Sequence, residues 1–252
     1  MAVSRKVASL AGAAGFALLS VTGSALAEDK FTWGVSATGT SDYVFRGISQ
    51  TDNDPAIQGA IDVGYGMFYA GVWASSLDFA PDVNIEVDYY AGITPTWGPA
   101  TFDFGVIYYD YPDDGTLDYY ELKAGVSGEI LPKLSAGATF YWTPDIAGEE
   151  WYVYEGTLSY ELPKTWVFTP TISGGVGYTD YEVSDNLDYT YWNAGLGLAV
   201  ENLSFDFRYW DTDYSQAACP TGAEMCADRS WLSTATSPPH PHTTLSLADP
   251  TP

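Results

Sequence analysis

The feature that most constrains this chain is alternation of apolar and polar residues. A period of two places the two kinds of side chain on opposite faces of a β-strand. Ile57, Ile61 and Val63, for example, alternate with Gln58 and Asp62. Eleven such runs lie roughly at 31–48, 56–64, 68–77, 84–95, 100–111, 117–128, 134–143, 150–161, 166–179, 187–200 and 203–213. The pattern predicts an all-β protein with antiparallel strands.

The connections between these runs alternate in length. Short turns are expected at 64–66, 97–99, 130–132, 162–164 and 201–202. Longer, mostly acidic loops are expected at 49–55, 78–83, 111–116, 144–149, 180–186 and 212–228. Short turns at one end and long loops at the other are typical of outer-membrane β-barrels.

A soluble β-sandwich or lipocalin-like barrel would also alternate, so three features decide between the two classes. The runs are long, since about 5–6 residues is common for soluble strands. Aromatic residues gather near run ends, as in Tyr108-Tyr109 and Tyr191-Trp192, where membrane-interface girdles lie. Charges also recur on the face that a soluble core would need. We therefore predict a transmembrane antiparallel β-barrel of about 12 strands.

Residues 1–27 have the organisation of a secretory signal peptide. Arg5 and Lys6 precede an apolar stretch at 7–21, and Ala25-Leu26-Ala27 forms a small-residue cleavage site. An uncleaved membrane anchor is the alternative, but the apolar stretch is short and rich in Ala and Gly. We expect export, cleavage before Glu28, a barrel over 28–228, and insertion into the lipid of the bacterial outer membrane by the barrel-assembly machinery.

Composition and residue placement exclude several functions. With 33 acidic against nine basic residues, the net charge of −24 repels nucleic acid and attracts cations. Both histidines, His240 and His242, lie beyond the strand runs, so no Ser-His-Asp set can form within them and we expect no enzyme. The acidic 52–54 segment lacks the spacing of an EF-hand loop. We expect neither a cofactor nor a dedicated metal site.

Cys219 and Cys226 lie in a polar stretch of an exported chain, which favours a disulfide closing a small loop. Zinc binding is the rival, but two thiolates without a nearby histidine make a poor site. Residues 229–252 hold five of the fifteen prolines, which cannot donate to a ladder, and only 243–247 could be extended. We therefore expect no barrel strand in this tail, and the twelfth strand is not recognisable. Because bacterial single-chain barrels have an even number of strands, this tail is either a true variant or the product of a frameshift near Arg229.

The segments SDYVFRGISQT at 41–51, DPAIQG at 54–59 and FYAGVWAS at 68–75 resemble the TorF-type porins of proteobacteria. The resemblance implies an outer-membrane porin, which would pass small solutes by diffusion and, with this charge, prefer cations. A structural or adhesive barrel with a closed lumen is the alternative.

If the apolar faces contact lipid, the charged residues of the opposite faces point into the lumen. The candidate pore-lining residues are Arg46, Asp62, Glu86, Asp88, Asp103, Glu121, Lys123, Glu155, Asp206 and Arg208. They either line a narrow aqueous path or neutralise one another in a filled barrel.

Overall fold

A computed structural model of the chain describes residues 31–80, 82–146, 149–183, 187–214 and 231–236. Its strands are β1 (Phe31–Thr40), β2 (Val44–Phe45), β3 (Ile48–Ser49), β4 (Ala56–Tyr65), β5 (Phe68–Ala80), β6 (Val83–Ile93), β7 (Thr96–Trp97), β8 (Ala100–Asp110), β9 (Tyr119–Leu131), β10 (Leu134–Ile146), β11 (Glu149–Glu161), β12 (Thr169–Tyr181), β13 (Tyr189–Val200), β14 (Leu203–Thr212) and β15 (Trp231–Thr236). Within these ranges there is no helix long and apolar enough to cross a membrane.

Twelve of these strands close into one antiparallel barrel, as the alternation predicts. The order around the barrel is β6-β5-β4-β1-β15-β14-β13-β12-β11-β10-β9-β8, and β8 pairs back to β6. Ten registered residue pairs join β1 to β4, and eleven join β11 to β12. Since every barrel strand has a neighbour on each side, the all-β barrel is confirmed.

The twelfth strand, β15, comes from the tail that the sequence patterns leave without a strand. Trp231–Thr236 pairs with β14 over six residues and with β1 over three, Thr38–Thr40. The expectation that residues 229–252 supply no barrel strand is therefore wrong for these six residues. The frameshift near Arg229 rests on the lack of a twelfth strand, so β15 removes that support, and the frameshift stays a prediction.

The connections alternate between the two ends of the barrel, and we call these the loop end and the turn end. The turn end carries tight connections such as Gly66-Met67, Pro132-Lys133 and Glu201-Asn202. Two expected long loops, 78–83 and 144–149, are wrong, because β5, β6, β10 and β11 extend into them. Most of the acidic residues there therefore prolong strands and do not form loops.

The apolar faces point outward. Ile57, Ile172 and Val176 are more than half exposed on the outer surface, while Glu86 and Asp88 on β6 are buried inside. A closed barrel whose outer face is apolar and whose inner face is charged has the arrangement of a membrane-spanning barrel.

We expect a lysine on the outer face to be costly and a lysine on the inner face to be tolerated. Val126 is exposed near the middle of β9, and Thr139 on β10 pairs with the neighbouring Gly125. Val126→Lys should lower the free energy of unfolding by about 2–4 kcal/mol, as for a cation near the bilayer midplane. Thr139→Lys, opposite Glu155, should cost far less. Urea unfolding in lipid vesicles measures both, and equal costs would contradict a lipid-facing outer surface.

Candidate functional site: the barrel lumen

A small hairpin occupies the lumen near the loop end. The segment 41–55 connects β1 to β4, and within it β2 pairs with β3 through the two-residue turn Arg46-Gly47. Both turn residues have positive φ, 48° and 80°, which is the geometry of a type I′ hairpin turn. The sequence predicts one strand over 31–48, because Val44–Ser49 alternates as a strand does. That prediction is wrong beyond Thr40.

The base of this inserted hairpin is held by Asp42. Its carboxylate accepts hydrogen bonds from Ser49 Oγ at 2.6 Å and Thr51 Oγ1 at 3.1 Å. Burial raises the pKa of Asp42 above its ordinary value, and the bonds from Ser49 and Thr51 act in the opposite direction. These contacts turn the chain inward after β1.

The hairpin fills the lumen at this level. On one side Tyr43 packs edge-on against Trp73, with ring centroids 5.4 Å apart. On the other side Val44 lies in a cluster with Val153 and Tyr191, both fully buried. The loop half of the lumen is thus a packed core of aromatic and aliphatic side chains.

Arg46, at the hairpin tip, makes a buried ion pair with Glu121 on β9. Its two terminal nitrogens donate to the two carboxylate oxygens at 2.8 Å each. Glu121 also accepts from the Tyr109 hydroxyl and from Thr143 Oγ1, both at 2.9 Å. The guanidinium carbon lies 4.7 Å from the ring centre of Tyr141. Both charges are therefore satisfied, as buried ions must be.

Gly47 lets the hairpin tip approach the barrel wall. A Cβ atom there would lie 2.7 Å from Cβ of Tyr191 and 3.1 Å from Cβ of Thr212. Positive φ and this close contact both require glycine at the position.

The turn half of the lumen is different, because its charged groups keep contact with water. Lys123 Nζ lies 2.7 Å from Asp103 Oδ2, and these side chains are 19% and 21% exposed. The Tyr69 hydroxyl also donates to Asp103, at 2.8 Å. The Tyr90 hydroxyl donates to Asp62 at 2.5 Å.

Across the barrel, Arg208 forms a second charged group. Its Nε and one terminal nitrogen donate to the two oxygens of Asp206 at 2.9 Å each. Further bonds go to Asn193 Oδ1 and Ser173 Oγ. The side chains of Arg208 and Asp206 are 16% and 33% exposed. Nine of the ten candidate residues thus lie on inward-facing strand positions, and Arg46 reaches the same space from the hairpin.

The sequence model of the family described as "Bacterial protein of unknown function (Gcw_chp)" matches residues 24–237. The chain belongs to this family. The Gcw_chp match includes the inserted hairpin and β15. The narrower resemblance to TorF-type porins stays a prediction. No curated protein sequence matches the chain.

Three solved structures are similar to this Gcw_chp member. The NanC porin has a TM-score of 0.53 at 13% identity, covering 81% of this chain and 98% of its own. The β domain of the Bordetella autotransporter BrkA has a TM-score of 0.39 at 15% identity, covering 82% and 98%. OmpT of Vibrio cholerae has 0.40 at 11%, covering 83% and 98%. The first likeness shows the fold alone, and the other two scores are too low to support an argument.

Sequence reasoning missed the aromatic residues inside the Gcw_chp lumen. It assigned Tyr108-Tyr109 and Tyr191-Trp192 to interfacial girdles, but each pair is divided between the two faces. Tyr108 and Trp192 are exposed outside, whereas Tyr109 and Tyr191 are buried inside. The signal was available, since adjacent strand residues point in opposite directions.

Several predictions lie outside the described residues of this Gcw_chp protein. They are the signal peptide at 1–27, the Cys219–Cys226 disulfide, and the tail after Thr236 with His240 and His242. Within the described ranges, no group of three or more His, Cys, Asp and Glu side chains is placed to hold a metal ion.

Proposed function

We propose that the protein is a narrow outer-membrane porin, through which small solutes diffuse passively with a preference for cations. One observation carries the proposal. Charged side chains in the turn half of a closed barrel retain 16–33% exposure, so water enters the lumen there. The likeness to a protein named as a porin, NanC, supports the same function.

The charge balance of the lumen supports cation preference. Of the ten candidate residues, seven are acidic and three are basic. Because a narrow, low-dielectric channel focuses the field of its wall charges, this excess raises the local concentration of cations.

The inserted hairpin makes the loop half the narrowest section of the path. Glu121, Val153 and Tyr191 have no exposure at that level. This packing is also what the alternative function, a structural barrel with a closed lumen, would require. We propose that the hairpin is the constriction that limits solute size and conductance.

Ion selectivity tests the porin function. In a planar bilayer with a salt gradient, the reversal potential should have the sign of cation preference. Asp62→Asn removes a luminal negative charge and should reduce the preference, whereas Lys123→Gln removes a positive charge and should increase it. High salt should weaken both effects through screening. Anion preference would contradict the proposal, and a folded barrel that never conducts would favour the structural alternative.

The location has its own test. The protein should fractionate with outer membranes, resist carbonate extraction, and migrate faster on a gel when unheated than when boiled. These results are expected because a closed barrel with an apolar outer face is stable only in lipid. Recovery as a soluble periplasmic protein would contradict it.

A further inference from the structure

Two acidic side chains are sealed together in the loop half of the lumen. Glu86 and Asp88 lie two positions apart on β6 and are 2% and 0% exposed. Because they are separated by one residue of the strand, both side chains lie on its inner face. Glu86 accepts a hydrogen bond from the Tyr43 hydroxyl of the inserted hairpin at 3.2 Å, and Tyr111 is buried in the same cluster as Tyr43. A hydroxyl donor thus partly satisfies the carboxylate of Glu86.

Asp88 has no such support. Both of its oxygens are buried, and among the described residues none donates a hydrogen bond to either of them. Arg46 is a buried cation in the same half of the lumen, but both of its terminal nitrogens donate hydrogen bonds to Glu121. A desolvated carboxylate without a donor is strongly unfavourable, so this pair must take up either a proton or a metal cation, because no described side chain donates to Asp88.

We propose that Glu86 and Asp88 form a binding site for a hard metal cation of the Ca²⁺ class. Such cations select carboxylate and hydroxyl oxygens, and one divalent ion neutralises both carboxylates. Both oxygens of Asp88 can serve as ligands, because no described residue donates a hydrogen bond to either of them. Tyr43 and Tyr111 add neutral oxygens beside it.

This site goes beyond the proposed function and does not depend on conduction. It lies in the packed half of the lumen, where it stabilises structure. Because Tyr43 belongs to the inserted hairpin and contacts Glu86, a bound cation also holds the hairpin against β6. A failure to bind cations at this site would therefore contradict only the site, and an absence of conductance would contradict only the porin function.

Terbium luminescence provides the test, because Tb³⁺ replaces Ca²⁺ in oxygen sites and is sensitised by nearby aromatic rings. Trp73 on β5 is the cross-strand partner of Asp88 and is buried beside it. The refolded full chain should show saturable Tb³⁺ luminescence on aromatic excitation, competed by Ca²⁺. Asp88→Asn should weaken Tb³⁺ binding by at least about tenfold, the lower end of the loss caused by removing outer-shell partners.

Asp188→Asn is the matched control, because Asp188 is a carboxylate that also accepts a tyrosine hydroxyl, from Tyr178 at 3.0 Å, and is none of the ten candidate pore-lining residues. It should leave Tb³⁺ binding unchanged. Heat-dependent gel mobility shows whether each variant folds, and Glu86→Gln replaces Asp88→Asn if the latter does not. Equal luminescence in the wild type and in the folded Asp88→Asn or Glu86→Gln variant, or none in the wild type, would overturn the site.

Melting temperatures distinguish a bound metal cation from a proton shared by Glu86 and Asp88. Ca²⁺ should raise the melting temperature of the wild type by mass action and leave that of Asp88→Asn unchanged. In chelator, Asp88→Asn should melt above the wild type, because a buried like charge is gone. A wild type indifferent to Ca²⁺, with an infrared band of a protonated carboxylic acid that Asp88→Asn removes, would show that the pair shares a proton and would overturn the proposal.

Discussion

An Arg46→Met variant will lose about 3–5 kcal/mol of unfolding free energy, because the change leaves the carboxylate of Glu121 buried without its positive partner. Methionine keeps much of the aliphatic volume of arginine, so the loss reports the charge. Tyr109 and Thr143 still donate to Glu121, but neutral donors do not replace a bidentate guanidinium. The hairpin tip is released, and single-channel conductance should rise. Urea unfolding in vesicles and bilayer recording measure the two effects.

Two controls make this result specific. The double variant Arg46→Met/Glu121→Gln should recover part of the stability, because no uncompensated charge remains, and the double-mutant cycle gives the coupling energy. Lys123→Met breaks a pair whose side chains are about one-fifth exposed, so water partly compensates the charge left on Asp103 and the cost should be smaller than that of Arg46→Met. If Arg46→Met costs no more than Lys123→Met, the buried pair does not hold the hairpin in place.

The strands and their faces could be predicted from the sequence because a barrel strand is a local pattern. Alternation fixes which side chains share a face, and nine of the ten charged candidates lie on inward-facing positions of barrel strands, whereas Arg46 lies in the hairpin turn. The pairs they form could not be predicted in this way. Arg46 and Glu121 are 75 residues apart, and only closure of the barrel brings them together.

The inserted hairpin could not be predicted, because its own pattern imitates a strand. Val44–Ser49 continues the alternation of β1, and nothing local forces the chain inward. Tertiary contacts determine the path of this segment. Arg46 pairs with Glu121 and Gly47 approaches Tyr191 only in the folded barrel, while Asp42 holds the base of the hairpin. An Arg-Gly turn between apolar residues is a weak hairpin signal, since Asn or Asp is preferred at the first position.

Deleting the chain from Trp231 onward should abolish barrel assembly. Without β15, strands β1 and β14 become open edges, and each unsatisfied backbone group in hydrocarbon costs several kcal/mol. The truncated chain should therefore fail to insert, give no heat-dependent mobility shift, and be degraded in cells. Refolding into detergent or lipid, followed by gel electrophoresis with and without boiling, measures assembly.

A chain ending at Thr236 is the matched control, and it should assemble as the full chain does. The register Thr38↔Thr236 would place residues 237–243 opposite residues 31–37 of β1 if the pairing continued. Three of those seven residues are prolines, which cannot donate hydrogen bonds to a β-ladder. Removing residues 237–252 should therefore cost few strand–strand hydrogen bonds. Assembly of the chain lacking residues 231–252 would contradict the role of β15. Failure of the chain ending at Thr236 would show that the proline-containing tail itself contributes to closure.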